Sequence, residues 1–104
     1  MRAKHLRRGL PPMHPGELLR EDVLPAIGRT KVEIARLLGV SRQTLYDILA
    51  ERAPVTPSMA LRLGKLCGNG PGLWLNLQRT YDLRKAEAEM GDELAAIPTL
   101  NEAA

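Results

Sequence analysis

The sequence predicts an all-α protein, and its composition carries that prediction. The 104 residues include 18 Leu and 12 Ala, both strong helix formers. The β-branched and aromatic residues that favour strands are scarce, with four Val, four Ile, two Tyr, one Trp and no Phe. A chain of this length supports one domain with an aliphatic core and argues against a two-domain enzyme.

The net charge of +3 is unevenly distributed along the chain. Residues 1–20 carry +4, residues 21–81 carry +3, and residues 82–104 carry −4. A basic body is the footprint expected of a polyanion partner, but on the charge alone a solvated surface without a partner is the favoured interpretation. The aromatic residues are too few for stacking on single-stranded nucleic acid, so double-stranded DNA is the favoured polyanion.

Several features of other protein classes are missing from the sequence. The single cysteine, Cys67, cannot form an internal disulfide, which favours a reducing cytoplasm. We find no apolar run long enough to span a membrane, no secretory signal, no phosphate-binding glycine loop and no zinc motif. Because Cys67 lacks an evident base and the two histidines make no credible metal site, we expect no enzyme, no cofactor and no metal.

The N-terminal region predicts a flexible basic arm followed by a first helix. Residues 1–13 contain a Pro-Pro pair, which blocks regular helix. His14 precedes Pro15, and proline at the first helical position loses no hydrogen bond. The apolar stripe of this helix is expected to end at Pro25.

The segment TKVEIARLLGVSRQTLYDIL, residues 30–49, predicts a helix-turn-helix. Thr30 and Glu33 form a capping box, in which each side chain satisfies the backbone N–H of the other residue. Gly39 suits the left-handed conformation of the tight turn, and Ser41 is the next N-cap. The expected buried faces are Ile34, Ala35, Leu37 and Leu38 on the first helix, and Leu45, Ile48 and Leu49 on the second.

The outer face of the second motif helix has the chemistry of base recognition. The N-terminal residues of a recognition helix lie nearest the bases. Arg42 can pair bidentately with guanine and Gln43 with adenine, while Lys31 and Arg52 suit phosphates. A packed hairpin that binds no DNA remains the alternative. The predicted DNA-binding residues are Lys31, Ser41, Arg42, Gln43, Thr44, Tyr46, Asp47 and Arg52.

Two more helices and an acidic tail follow the motif. Thr56-Pro57 opens the fourth helix, and Pro71 opens the fifth after a Gly-Asn-Gly break. The predicted helix-turn-helix domain is residues 14–83. Residues 84–104 are predicted to form an acidic helical tail with a frayed end, which could dock on a basic protein or stay solvated.

The fifth helix also supplies the candidate dimer interface, which consists of Trp74, Leu75 and Tyr81. An exposed tryptophan suits the centre of an interface. Burial of Trp74 in the core is the favoured alternative for that residue, and Leu75 lies off its face of the helix.

Three stretches resemble the HigA antitoxin family, within the Xre/Cro-like helix-turn-helix group. They are MHPGELLREDVLPAIG at 13–28, IARLLGVSRQTLYDIL at 34–49, and ERAPVTPSMALRLGKLCGNGPGLWLNLQRTYDL at 51–83. The resemblance implies a five-helix lambda-repressor/Cro-like domain with a helical C-terminal extension, usually a homodimer.

The same resemblance implies the antitoxin of a HigBA-type toxin-antitoxin system. Such a protein neutralises an mRNA-cleaving, HigB-type ribonuclease toxin and represses its own operon by binding operator DNA. It would be cytoplasmic, associated with the nucleoid when bound to DNA, and would have no membrane partner. A stand-alone helix-turn-helix repressor without a toxin partner is the alternative.

The chain departs from the family pattern at three positions. Ala50 stands where the family often has Asn, which weakens the expectation of a left-handed cap there. Lys31 replaces a common Gln and keeps a charge suited to phosphate. Cys67 replaces the usual Phe and looks like a smaller core residue.

Overall fold

The computed structural model describes residues 13–100, and this part of the chain contains helices and no strand. Helix α1 covers residues 15–27. It is followed by α2 (Lys31–Leu38), α3 (Arg42–Leu49), α4 (Pro57–Cys67), α5 (Gly72–Glu89) and α6 (Gly91–Ala95). The predicted all-α fold, five helices with a helical C-terminal extension, is confirmed. The predicted basic arm, Met13 excepted, and residues 101–104 lie outside the described residues.

Helix α1 does not end at Pro25, so that prediction is wrong. The helix consists of two α-helical segments, Pro15–Leu18 and Leu24–Ile27, joined by a π-helical turn, Leu19–Val23. In this turn the N–H of Leu24 donates to the carbonyl oxygen of Leu19, five residues back. A wider turn before a proline can relieve the clash between its ring and the carbonyl four residues back, which ends or kinks a regular helix. The helix ends only at Gly28, which has a φ of 75°.

One hydrophobic core joins α1 to α5. Trp74 is completely buried in it, and its Nε1 donates to Oδ1 of Asn69 at 3.3 Å. Its predicted place in the core is confirmed. Because the ring has no exposed surface that a second copy could contact, Trp74 is no longer a candidate for the dimer interface. The other fully buried large side chains include Leu19, Ile34, Leu45, Ile48 and Leu63.

The predicted buried face of α2 is correct for three residues and wrong for Leu37. Ile34, Ala35 and Leu38 are at most 4% exposed, whereas Leu37 is 44% exposed. The buried side of α2 is therefore narrower than the run of apolar residues in its sequence suggests.

The C-terminal part of α5 projects beyond the core. In residues 82–100 every side chain is exposed except that of Ala86, which is half-buried. The helix has no break between residues 83 and 84, where the composition changes, because α5 continues to Glu89. Met90, with φ −112° and ψ 19°, then separates α5 from α6.

Candidate nucleic-acid interface

The helix-turn-helix formed by α2 and α3 is fixed by local caps. Thr30 accepts a hydrogen bond from the backbone N–H of Glu33 at 3.1 Å, which is the first half of the predicted capping box. The second half of that prediction is wrong, because the Glu33 carboxylate accepts from Arg29 at 2.6 Å and not from the N–H of Thr30. Gly39 takes the predicted left-handed conformation with a φ of 75°. Ser41 accepts from the N–H of Thr44 at 3.0 Å, which begins α3. These caps make the two helices and their turn one unit.

Helix α1 packs directly against the backbone of α3. A Cβ added at Gly16 would overlap the carbonyl oxygen of Ile48, so only glycine permits this approach. His14 begins α1 immediately beside this contact, because its Nδ1 accepts from the N–H of Gly16 at 2.8 Å. The position of α3 therefore depends on α1 as well as on α2.

The C-terminal end of α3 is held by Arg20, which was not among the predicted site residues. Its Nη1 donates to the carbonyl oxygen of Leu49 at 2.5 Å and lies 3.2 Å from Oε2 of Glu51. A cation suits this end of a helix because unpaired carbonyls accumulate there. Glu51 has a φ of 63°, the only positive φ among the described non-glycine residues. The left-handed residue thus lies one position after Ala50.

Arg62 plays the same part at the end of α2. From α4, its Nη1 donates to the carbonyl oxygen of Leu38 at 2.7 Å and to that of Gly39 at 3.4 Å. No short motif could have revealed either arginine, because their partners lie more than twenty residues away in the sequence. The turn of the motif and its C-terminal end are therefore both held by side chains from outside it.

The predicted DNA-binding residues are all at least partly accessible to solvent on the motif helices and the segment that follows. Arg42 makes no hydrogen bond or ion pair with another residue in the range 13–100, so its guanidinium is free. Tyr46 is 39% exposed and Asp47 is half-buried. The remaining predicted residues are exposed: Lys31, Ser41, Gln43, Thr44 and Arg52.

Three of these residues are linked to one another through Asp47. Its Oδ1 accepts from Nε2 of Gln43 at 2.8 Å, and from Nη2 and Nε of Arg52 at 2.8 Å and 3.2 Å. These donors, Arg52 first and then Gln43, lower the pKa of the Asp47 carboxyl. All three were predicted to be DNA-binding residues, Gln43 and Asp47 on the outer face of the helix and Arg52 just past it, but their connection was not predicted.

The hydroxyl of Ser41 also has a partner within the protein. It donates to Oγ1 of Thr44, 2.9 Å away. The Thr44 hydroxyl can therefore direct its own proton outward, toward an acceptor such as a phosphate oxygen.

The remaining candidates for a dimer interface lie on α5 and differ in their surroundings. Half-buried Leu75 lines a shallow groove along the helix with Arg79, Asp82, Leu83 and Ala86. The ring of Tyr81 instead packs edge-on against His14 of α1, with ring centroids 4.9 Å apart. Leu75 is thus available to a second copy, whereas Tyr81 ties α5 to α1.

Other kinds of site find little support in the described part of the chain. Between residues 13 and 100, no three His, Cys, Asp or Glu side chains are grouped so that they could hold a metal ion. No helix in this range is both long and apolar enough to cross a membrane. Burial raises the pKa of the half-buried Cys67 thiol, which lowers its nucleophilicity at neutral pH.

Comparison with known proteins identifies relatives that share this motif. Residues 2–73 match the profile of a family described as helix-turn-helix domain. The chain is 36% identical over 94 residues to virulence-associated protein I of Dichelobacter nodosus, which covers 90% of this chain and 87% of the relative.

Solved structures resemble the whole described fold. Antitoxin GraA has a TM-score of 0.82 and 44% identity, covering 88% of this chain and 100% of that chain. The Pseudomonas aeruginosa antitoxin HigA, solved with the higBA promoter, has a TM-score of 0.81 and 36% identity, covering 86% and 99%. The chain therefore belongs to the helix-turn-helix domain family and, within it, to the HigA-like antitoxins.

Proposed function

We propose that this chain is an antitoxin that represses its own operon. It binds operator DNA through the outer face of α3 and neutralises a HigB-type ribonuclease toxin in the cytoplasm. The observation that carries the DNA-binding part is the Arg42 guanidinium, which has no partner between residues 13 and 100 and lies at the exposed N-terminus of a helix anchored at both ends. The promoter complex of the HigA relative supports the same partner for this chain.

In this proposal α3 enters the major groove with its N-terminal residues nearest the bases. Arg42 pairs with guanine, and Gln43 contacts the neighbouring base pair. Lys31 and Thr44 contact phosphates and set the position of the helix on the duplex. The chain acts by binding alone, without a catalytic step.

A homodimer is part of the proposal, and the groove on α5 is its proposed interface. Leu75, Leu83 and Ala86 give this groove an apolar floor. Arg79 and Asp82 lie near the middle of the groove. In an antiparallel dimer, Arg79 of one copy would therefore face Asp82 of the other, and the reverse. A two-fold dimer requires an inverted-repeat operator with half-sites about 34 Å apart.

The interface can be tested by its oligomeric state. Leu83 lies in the groove and is 56% exposed, so Leu83→Glu should not disturb the fold of the monomer. In a dimer the same glutamate would be buried at the interface, and its charge would oppose dimerisation. Analytical ultracentrifugation should find a dimer for the wild type and for Ile97→Glu, a matched change outside the groove. A dimeric Leu83→Glu variant would contradict the interface.

The toxin contact is proposed for the part of the projecting segment beyond the dimer groove, residues 87–100. This part is exposed and carries four acidic side chains and no basic one. A basic ribonuclease would meet complementary charge there. The acidic side chains are Glu87, Glu89, Asp92 and Glu93.

DNA binding is tested by a mobility-shift titration with the DNA upstream of the gene. The wild type should shift this DNA in preference to unrelated duplex, and Arg42→Ala should weaken the shift about tenfold or more, given 1–3 kcal/mol per specific base contact. Arg84→Ala, the same change on the projecting part of α5, should bind like the wild type. Equal affinities of the two variants, or no preferential shift, would contradict the proposal.

Toxin neutralisation is tested by co-expression with the ribonuclease frame beside the gene. The wild type and Arg42→Ala should both restore growth, because the DNA-facing surface is not the proposed toxin contact. The charge reversal Glu87→Lys with Asp92→Lys should restore it less. If the wild type binds operator DNA but protects no cell, the chain is a stand-alone repressor.

A further inference from the structure

One carboxylate lies between two of the proposed DNA-contacting side chains. Asp47 Oδ1 is 2.8 Å from Gln43 Nε2 and 2.8 Å from Arg52 Nη2. The Asp47 side chain is 32% exposed and that of Arg52 is 62% exposed, so the cluster is accessible to solvent at the proposed DNA-binding surface. The three side chains therefore form one hydrogen-bonded group rather than three independent contacts.

This contact fixes the direction of the Gln43 amide. A glutamine amide carries an acceptor and a donor, and an unrestrained side chain can present either one to a base. An ionised carboxylate only accepts hydrogen bonds, so the amino group of Gln43 must face Asp47. If the amide were flipped, its Oε1 would face the Asp47 carboxylate, and neither oxygen could donate. One N–H is used in this contact. The outer edge keeps Oε1 as an acceptor and the second N–H as a donor.

We propose that Asp47 is a positioning residue that makes Gln43 specific for adenine. The inference rests on the proposed DNA-binding function and adds its base preference. Adenine offers the N6 donor and the N7 acceptor in the major groove, which match an edge that has one acceptor and one donor. Guanine offers two acceptors, thymine one acceptor and cytosine one donor, so none matches both groups.

Arg52 makes this arrangement compatible with DNA. An unpaired carboxylate near the groove would be repelled by the phosphates. Arg52 donates two hydrogen bonds to Asp47 and compensates its charge, while Nη1 stays available to a phosphate. The same donors hold the pKa of Asp47 below its usual range, which keeps the carboxylate an acceptor.

The competing explanation is that Gln43 and Asp47 form an ordinary i,i+4 pair that only supports the helix. Such a role would affect stability and overall affinity. It would leave the preference for one base at one position unchanged. Base preference is therefore the measurement that separates the two explanations.

The test is selection of duplexes from a random library by the full-length chain, followed by sequencing. The wild type should select adenine at one position of each half-site. In Gln43→Ala and in Asp47→Ala, the preference for adenine at this position should fall roughly tenfold. The base preferences at the other positions of the half-site should not change. The double variant should lose no more than either single variant. Asp47→Asn, which keeps an acceptor oxygen, should retain part of the preference.

Glu33→Ala is the matched control, because it also removes one negative charge and one i,i+4 side-chain pair of a motif helix, together with a longer contact to Arg36. It should keep the adenine preference. The inference is overturned if Asp47→Ala keeps that preference, or if Glu33→Ala loses it equally. If the wild type enriches no sequence at all, the proposed DNA-reading function fails first and the inference fails with it.

Discussion

The two ends of helix α3 are fixed by different means. At the N-terminal end, Ser41 accepts from the N–H of Thr44 at 3.0 Å, a contact that spans three residues of sequence. At the C-terminal end, Arg20 reaches across 29 residues to the Leu49 carbonyl. Gly16 lets α1 approach the carbonyl of Ile48 there. One end is thus determined locally and the other by tertiary contacts.

This difference matters for base recognition. The local cap determines where the helix begins and which side chains face outward. The distant contacts determine the direction of the helix axis, on which every outward side chain depends. Because direct readout relies on hydrogen bonds with narrow geometric tolerance, loss of either end should weaken DNA binding. The following changes separate the two contributions.

Gly16→Ala should have the largest effect, because its methyl group would force α1 away from the backbone of α3. We expect a loss of about 3 kcal/mol, at the upper end of the range for over-packed cores, measured by urea unfolding. Gly72→Ala is the matched control. Its Cβ would meet nothing within 4 Å, so this variant should be as stable as the wild type or slightly more stable. Equal stability of the two variants would contradict the close approach of α1.

Arg20→Ala should cost about 1.5 kcal/mol, since it removes a hydrogen bond between a charged group and a carbonyl at the helix end. Amide hydrogen exchange should speed up around Glu51, while the N-terminal turn of α3 stays protected. Arg29→Ala removes only an exposed i,i+4 ion pair with Glu33 and should cost about 0.4 kcal/mol. If Arg20→Ala costs no more than this control, Arg20 does not anchor α3.

Ser41→Ala should cost about 1 kcal/mol, the usual value of an N-cap side chain. The pattern of amide hydrogen exchange in Ser41→Ala should be the reverse of that in Arg20→Ala, with faster exchange at Thr44 and no change near Glu51. Ser41→Asp, which keeps an acceptor for the same N–H, should restore most of the lost stability. Faster exchange at both ends of α3 would show that the ends are not fixed separately.

The smallest expected effect is a dependence of stability on pH through His14. Burial lowers the pKa of His14 from its usual 6.5, which the nearby charges of Glu51 and Asp82 partly offset. His14 therefore binds a proton more tightly in the unfolded chain than in the folded one. The contribution of the neutral His14 to the stability of the fold is complete above pH 6.5 and is lost as the pH falls below it. His14→Asn keeps a capping side chain and should flatten this part of the pH profile. An unchanged slope would contradict the assignment.

The sequence allowed the local features of the motif to be predicted, because their partners lie within a few residues. Ser41, Thr30 and Gly39 were recognised from spacing alone, and the structure confirms all three. The contacts of Gly16, Arg20 and Arg62 were not predicted, because they join distant segments. For the outer face, the residues were predictable but their links through Asp47 were not, since side-chain direction decides them.

Two errors have a different origin. Leu37 was placed on the buried face because an apolar run overestimates the width of the stripe that meets the core. Pro25 was expected to end α1 because the rule for proline assumes a regular helix. The π-helical turn before it changes that geometry. Residue spacing shows neither the width of the buried stripe nor the position of a π-helical turn.

The most direct test of DNA reading by a dimer is a hydroxyl-radical footprint of the full-length chain on the DNA upstream of its gene. We predict two protected patches related by two-fold symmetry, with centres about 34 Å apart, and their loss in Arg42→Ala at the same protein concentration. Protection spread evenly along the duplex, or an unchanged footprint with Arg42→Ala, would contradict the account.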